Sequence, residues 1–405
     1  MLSPSESLLT AEYMGRPVAL YKHLHRLGPI YYDANHEFWI ASEFDLVSGL
    51  LRHPDMSSNR EGMSSRRFEG AENRRVRAAM EALGRSMLMM DPPEHTRLRK
   101  MANPLMGRER VESWSADIND VFLKLMTPCK EKGEFDLVHD VCELYPTEVI
   151  FKLFAVPEAL RPKYRECVWR SMKYFGFNLS ELSMPMAMGS VAASTQTRGF
   201  LTELLEKRCE YPSDDLLSEL AAYVVSGETE VDEMTRMASL IVNAGHITTI
   251  DLLANGVYQL LSHPDQWRLL KENPELAGQA VEEILRYDSS VPFTFRRATN
   301  DIDVPGGTIR KGDFIALGLA AANHDPAINE DPDVFDITRP KVRHVSFGQG
   351  VHACLGANLA RLEMKTALAA LVQHMPDLRF AEHPEPYMKS DTLVFKGFHA
   401  LPLVC

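Results

Sequence analysis

The chain has 405 residues, 45% of them hydrophobic, and a formal charge of −12. That acidity excludes bulk nucleic-acid binding, and the N-terminal residues hold neither a signal-peptide pattern nor an apolar run long enough to cross a bilayer. Cys129, Cys142, Cys167, Cys209, Cys354 and Cys405 form no C-x-x-C pair and give no sign of disulfides or structural zinc, so a soluble cytoplasmic protein is expected. No linker, repeat or low-complexity tract divides the chain, and residues 1–405 are expected to form one domain.

Residues 12–27 read as an amphipathic helix stopped near Gly28-Pro29, followed by β-rich stretches at 30–32 and 38–41 and a helix over about 43–52. Residues 57–90 read as irregular. They are crowded with Arg60, Arg66, Arg67, Arg74, Arg75, Arg77 and Arg85 and end in the apolar run Met87-Leu88-Met89-Met90. Most such arginines belong to a solvated surface; one or two could reach an anionic group on a substrate, and the sequence does not choose which. Asp91 to Arg99 opens the next helix, with Asp91 able to cap, proline in the first turn and Glu94 in a capping-box position. His95 and Arg99, four apart, share a helix face.

Helical stretches follow at about 112–131, 139–155 and 159–175. The segment 175–189 mixes Phe175, Phe177 and Met184 with glycine and proline breaks, which fits a mobile lid or an ordinary turn between helices. Residues 230–262 form the longest helical pattern, roughly 50 Å at the α-helical rise, stopped by Pro264. Inside it lies Ala244-Gly245-His246-Ile247-Thr248-Thr249; a mid-helix glycine costs about 1 kcal/mol, so a close approach by another group is expected there. Glu283 and Arg286 are three apart on a helix, a spacing that usually gives a weak surface ion pair. Val291, Phe293, Thr294 and Phe295 precede Arg296-Arg297, and alternating β patterns occupy about 302–319 and the residues after 378.

The most informative stretch is Phe347-Gly348-Gln349-Gly350-Val351-His352-Ala353-Cys354-Leu355-Gly356. Gly348 and Gly350 permit tight turns, and Cys354 stands where an apolar helix over about 355–374 begins. The positive end of a helix favours a thiolate, and such a thiolate is a good axial ligand for haem iron. A buried structural cysteine would leave the surrounding fixed residues unexplained. A dinucleotide fingerprint, Gly348-x-Gly350-x-x-Ala353, is weak because the run 338–344 is not a buried strand and little chain follows.

These motifs resemble the cytochrome P450 superfamily, in particular its soluble bacterial branch. The decapeptide meets the family's haem-loop pattern at every fixed position, and the resemblance runs from about residue 12 to the end. It implies a mainly α fold with small β-sheets (α+β), haem b lying between the long helix and the cysteine-loop helix. A small β-containing lobe would come from about 12–60, 295–320 and 378–405. Cys354 would be the axial ligand of the haem iron, shielded by Phe347 in a loop shaped by Gly348, Gly350 and Gly356. His95, Arg99, His352 and Arg296, with Arg297 as the alternative, would hold the haem propionates. Glu283, Arg286 and Arg339 would form a buried structural lock. Gly245 and Thr248 would shape the oxygen groove beside Ala244, Thr248 assisting protonation. Ile247 departs from the acid usual at its position. Met87, Leu88, Met89, Phe175, Phe177, Met184, Ala244, Val291, Phe293, Thr294 and Phe295 would line the substrate pocket.

The function implied is a monooxygenase acting on a small hydrophobic molecule with O2. Electrons would come from a separate ferredoxin-type donor on the cysteine side, fed indirectly by NAD(P)H. Arg97, Lys100, Arg108, Arg110, Arg361 and Lys365 could form its docking face. A monomer without membrane anchor or nucleic-acid partner is expected. A peroxygenase or a coupling or cyclisation enzyme without net oxygen insertion is the alternative, with a non-enzymatic haem sensor third. With Ile247 in the acid's place, protons would come through substrate hydroxyls or ordered water, through a substitute such as His246, or be needed in smaller number.

Overall fold

The computed structural model describes residues 9, 15–60, 63, 70–83, 86–172, 184–383, 385–389, 392 and 394–405. The chain enters through α1 (Pro17–Leu27), whose proline occupies the first turn, where a missing N–H costs nothing. A hairpin follows, β1 (Ile30–Asp33) against β2 (Phe38–Ala41), with Ile30 opposite Ala41. After α2 (Phe44–Arg52), the short β3 (Met56–Ser57) joins a five-stranded sheet of order β1-β2-β8-β5-β3, where β5 is Phe293–Ala298 and β8 is Phe314–Gly318. β2 and β8 run parallel; the other neighbours are antiparallel. Alternation along β8 sends Phe314 and Ala316 into a cluster with Leu20, Phe38 and Phe295, and Ile315 and Leu317 into one with Val47, Leu50 and Ala298. The sheet therefore carries an apolar cluster on each face, and its register is pinned from both sides.

Among the described residues, three small sheets stand beside it. β6 (Ile302–Val304) pairs with β7 (Gly307–Ile309), and β10 (Tyr387–Met388) with β11 (Phe398–Ala400). β12 (Pro402–Val404) lies between β4 (Glu134–Asp136) and β9 (Arg379–Phe380).

The helical remainder surrounds a large core. Its helices are α3 (Gly70–Leu83), α4 (Glu94–Ala102), α5 (Arg108–Glu112), α6 (Ser115–Lys132), α7 (Tyr145–Leu153), α8 (Arg161–Met172), α9 (Met184–Glu210) and α10 (Leu216–Val225), then α11 (Val231–Ala244), α12 (Ile247–Ser262), α13 (Pro264–Glu272), α14 (Ala277–Tyr287), α15 (Leu319–Asn323) and α16 (Ala357–His374). α12 and α16 pack against each other and both pack against α14. Phe122, Tyr145, Phe151, Leu253, Ile284 and Leu368 belong to the one cluster they share.

Four expectations need correction. The stretch 57–90 is not irregular throughout: α3 occupies part of it, because alanine, arginine and glutamate are good helix formers, and its Arg74, Arg75 and Arg77 are exposed. The segment 175–189 is helical from Met184 onward, its proline falling in the tolerated first turn. Phe175 and Phe177 lie outside the described residues. The single helix over 230–262 is two helices, interrupted at Gly245-His246. Finally, the Asp91 side chain does not cap α4; it accepts instead from the Ser58 N–H at 2.9 Å and from the Ser57 hydroxyl.

Val231–Ser262 is long and apolar enough to cross a membrane by composition, but most of it is buried among the other helices.

Candidate active site

The cysteine loop is built before α16 starts. Gly348 and Gly350 adopt φ of +64° and +72°, conformations that L side chains rarely take. Gly348 N–H donates to the Val345 carbonyl at 2.8 Å, and Cys354 N–H to the Phe347 carbonyl at 2.8 Å. The Ser48 hydroxyl donates to Gln349 Oε1 at 2.7 Å, tying the loop to α2. The Phe347 ring is partly buried beneath the Arg361 guanidinium, 4.6 Å from its centroid. Cys354 is exposed, whereas Leu359, Leu362 and Met364 of the helix it precedes are buried. Packing around it pushes the thiol up, opposed by the Gly356 N–H and by the charges of Arg99 and Arg361.

On the other side, α11 ends at Ala244, which is exposed although Ile241 and Val242 before it are buried. A Cβ on Gly245 would meet the Ile241 carbonyl at 3.2 Å and Ile150 Cδ1 at 3.5 Å. The Thr248 hydroxyl donates to the Ala244 carbonyl at 2.8 Å, taking the acceptor that its own N–H would use in an unbroken helix. Ile247 is half-buried and packs on the helical core. His246 is buried, engages the Thr147 hydroxyl at 2.5 Å and lies edge-on to Trp169 at 5.3 Å. Burial pulls its imidazole down to about 3, with Arg165 and Lys389 adding, so it carries no spare proton near neutrality.

Beside Cys354 gather the groups expected to hold carboxylates. The His95 and His352 rings lie with centroids 4.0 Å apart, tilted by 43°, and His95 Nδ1 and His352 Nε2 are buried without a hydrogen-bond partner. Burial and nearby cations push both imidazoles down, His352 to about 3. Arg99 hydrogen-bonds Asn103 Oδ1 at 2.8 Å and is electrostatically close to Cys354 and His352. The β5 register decides between the two arginines: Arg296 is buried and interacts with Asp91, while Arg297 is exposed and lies over the Phe314 ring at 5.7 Å. Unpartnered nitrogens and clustered cations next to an accessible cysteine fit an iron porphyrin, whose two carboxylates would meet them. Sequence reasoning missed one member: Arg60, inside the arginine-crowded stretch, whose charge is felt at both Arg296 and His352.

Glu283 and Arg286 are fully buried, with two hydrogen bonds of 2.8 Å between guanidinium and carboxylate. Arg286 also donates to the carbonyls of Pro332 at 2.7 Å and Val334 at 3.0 Å. Arg339 reaches Glu283 Oε1 at 3.1 Å and donates to the carbonyls of Glu330, Asp331 and Val334. This network fixes the segment leading to the cysteine loop.

Several expected pocket residues are packed elsewhere. Phe293 and Phe295 belong to the sheet's apolar cluster, Phe295 edge-on to Phe38 at 5.5 Å, because strand alternation turns them into the small-lobe core. Met87 is buried in the helical core; Leu88 is exposed, and Met89, Met184, Val291 and Thr294 are half-buried. Of the six cations considered for docking, Arg97 is paired with Glu233, Arg110 with Glu219 and Arg361 with Glu282. Lys100, Arg108 and Lys365 are exposed.

The comparisons agree on one family. A profile described as cytochrome P450 matches residues 50–375. The biotin biosynthesis cytochrome P450 of Bacillus subtilis is 32% identical, over 98% of both chains. The cytochrome P450 monooxygenase PikC of Streptomyces venezuelae is 32% identical, over 98% of this chain and 92% of its own. Among solved structures, P450BioI in complex with an acyl carrier protein ligated to hexadec-9Z-enoic acid superposes with a TM-score of 0.87 at 30% identity, covering 98% of this chain and 100% of that one. CalO2 superposes at 0.88 with 26% identity, covering 99% of each.

Proposed function

The chain belongs to the cytochrome P450 family, and from that premise we propose that it is a haem-thiolate monooxygenase that hydroxylates or epoxidises a hydrophobic natural product or lipid. The observation that carries this reading is the exposed Cys354 beside the unpartnered nitrogens of His95 and His352. The names of relatives support the substrate class: one serves biotin biosynthesis, one is a vitamin D(3) 25-hydroxylase, and P450BioI is seen with a carrier-bound fatty acid. An acyl chain tethered to a carrier protein therefore falls within the class proposed.

Haem b, when bound, supplies reductive activation of O2 at thiolate-ligated iron. Cys354 would ligate the iron, and Phe347 would keep water from the sulfur. His95, Arg99, Arg296 and His352 would hold the carboxylates. Thr248, its hydroxyl fixed on the Ala244 carbonyl, would position protons on the distal side. Electrons would come from a ferredoxin reduced at the expense of NAD(P)H, met by Lys100, Arg108 and Lys365. The protein would work as a cytoplasmic monomer.

Ile247 favours a second reading, peroxide-driven oxidation or oxidative coupling, because it removes the usual acid from the distal helix. Turnover of a substrate identified by optical titration separates the two. Product formed with O2 and a surrogate ferredoxin system supports the monooxygenase; product with peroxide alone, and none with O2, overturns it.

A further inference from the structure

Arg60 differs from its neighbours in the arginine-crowded stretch. Arg74, Arg75 and Arg77 are exposed on α3, whereas the Arg60 Nε is buried and has no hydrogen-bond partner. Its position follows from the sheet. β3 pairs Met56 with Ala298 and ends with Ser57 opposite Arg297, so the chain leaves the sheet next to Arg296. Asp91 holds that continuation by accepting from Ser57 and Ser58, while its charge also acts on Arg296 and His95. Arg60 thus approaches from a fourth element the cluster that α4, β5 and the cysteine loop already form.

The charges there do not balance within the protein. Arg60, Arg99 and Arg296 bring three guanidiniums to the cluster, where the carboxylate of Asp91 acts against them. The surplus is two positive charges, the number of carboxylates that haem carries. Burial pulls Arg60 down to about 10 and Arg296 to about 9, with the Arg60 charge adding at Arg296 and Asp91 opposing. Removing any one guanidinium would leave the loaded site with an uncompensated buried negative charge.

We propose that Arg60 is a third guanidinium ligand of the haem carboxylates, joining Arg99 and Arg296 and closing the charge balance of the site. The proposal rests on the haem reading, and the test separates the two. Wild-type protein, reduced under carbon monoxide, must show the absorption of a thiolate-ligated haem; that result stands or falls without Arg60. Haem transfer from the loaded protein to excess apomyoglobin and the ferric/ferrous midpoint potential are then measured for wild type, Arg60→Leu and Arg60→Lys. Arg60→Leu is expected to speed haem loss about 10- to 100-fold, the effect of one charge-assisted hydrogen bond. It should also lower the potential, because a lost positive charge disfavours the added electron. Arg60→Lys, which keeps the charge but not the fork, should restore the potential and recover haem retention in part. An unchanged potential in Arg60→Leu overturns the proposal. Equal haem loss in both variants at wild-type potential also overturns it, reducing Arg60 to packing. Weakened substrate binding with haem properties intact overturns it as well, placing the guanidinium on a substrate anion.

Discussion

Gly397 and Asp251 are so close that a Cβ on the glycine would sit 2.2 Å from the carboxylate Oδ1. That oxygen accepts from Lys389 Nζ at 2.6 Å, and the carboxylate is fully buried. Gly397→Ala should therefore push the carboxylate off its lysine and cost roughly 3 kcal/mol in denaturant unfolding. In an Asp251→Ser background the same change should cost much less, and that coupling identifies the contact as the cause.

Asp251 also predicts a pH dependence. Burial raises its carboxyl from the ordinary 3.8 to about 6, against the opposing pull of Lys389. The folded chain thus binds this proton more tightly than the unfolded chain does. Its contribution to stability is greatest below about 4, falls as pH rises to about 6, and is level above that. The whole change is at most about 3 kcal/mol. Asp251→Asn should flatten this part of the stability profile, measured by urea midpoints between pH 4 and pH 7.

The Glu283 network should be the least tolerant of truncation. Glu283→Ala leaves Arg286 buried with its charge uncompensated and should cost about 3–5 kcal/mol, with loss of haem content on purification. Arg339→Ala should cost less, since its side chain keeps some solvent contact. Equal costs for the two would mean that Arg286 is less isolated than its burial implies.

Within the cysteine loop, the two left-handed glycines should differ. A Cβ on Gly350 would lie 2.9 Å from the Leu51 carbonyl, while one on Gly348 meets nothing nearer than 3.8 Å. Both alanine variants bear about 1–2 kcal/mol of backbone strain, and only Gly350→Ala adds a clash with backbone. Haem content and the carbon monoxide spectrum should fall further in Gly350→Ala than in Gly348→Ala.

Ile247→Glu tests how protons reach the distal side. A missing general acid typically costs about 10²–10⁴-fold, so any replacement route should be measurable. If substrate hydroxyls relay the proton, the new acid should raise product per reducing equivalent far more for a hydroxyl-free analogue than for the native compound. Equal gains for both would remove the substrate from the relay.

The short-range patterns were legible in the sequence, and the long-range packing was not. The loop around Cys354 and the pairing of Glu283 with Arg286 are local, although the spacing of that pair by itself suggested a surface contact and only the resemblance implied its burial. Arg60 could not be chosen from seven similar arginines, because what distinguishes it is the run of β3 beside β5, distant in sequence. Phe293 and Phe295 looked like pocket residues for the same reason: only the sheet's register shows which face each strand position occupies. The interruption after Ala244 was hidden because Gly245 and Thr248 are each tolerated within a continuous helix; that the Thr248 hydroxyl takes the Ala244 carbonyl is a three-dimensional property.

That interruption has an electrostatic consequence. A continuous helix has one positive end, whereas α11 and α12 placed in series have two, the second within the core. The N–H groups of Ile247, Thr248 and Thr249 have no backbone acceptor among the described residues. Three such dipoles stabilise negative charge arriving near them, yet they have no proton to give. The break therefore supplies attraction where Ile247 supplies no acid, and leaves the origin of the proton to the substrate, to water or to the reaction itself.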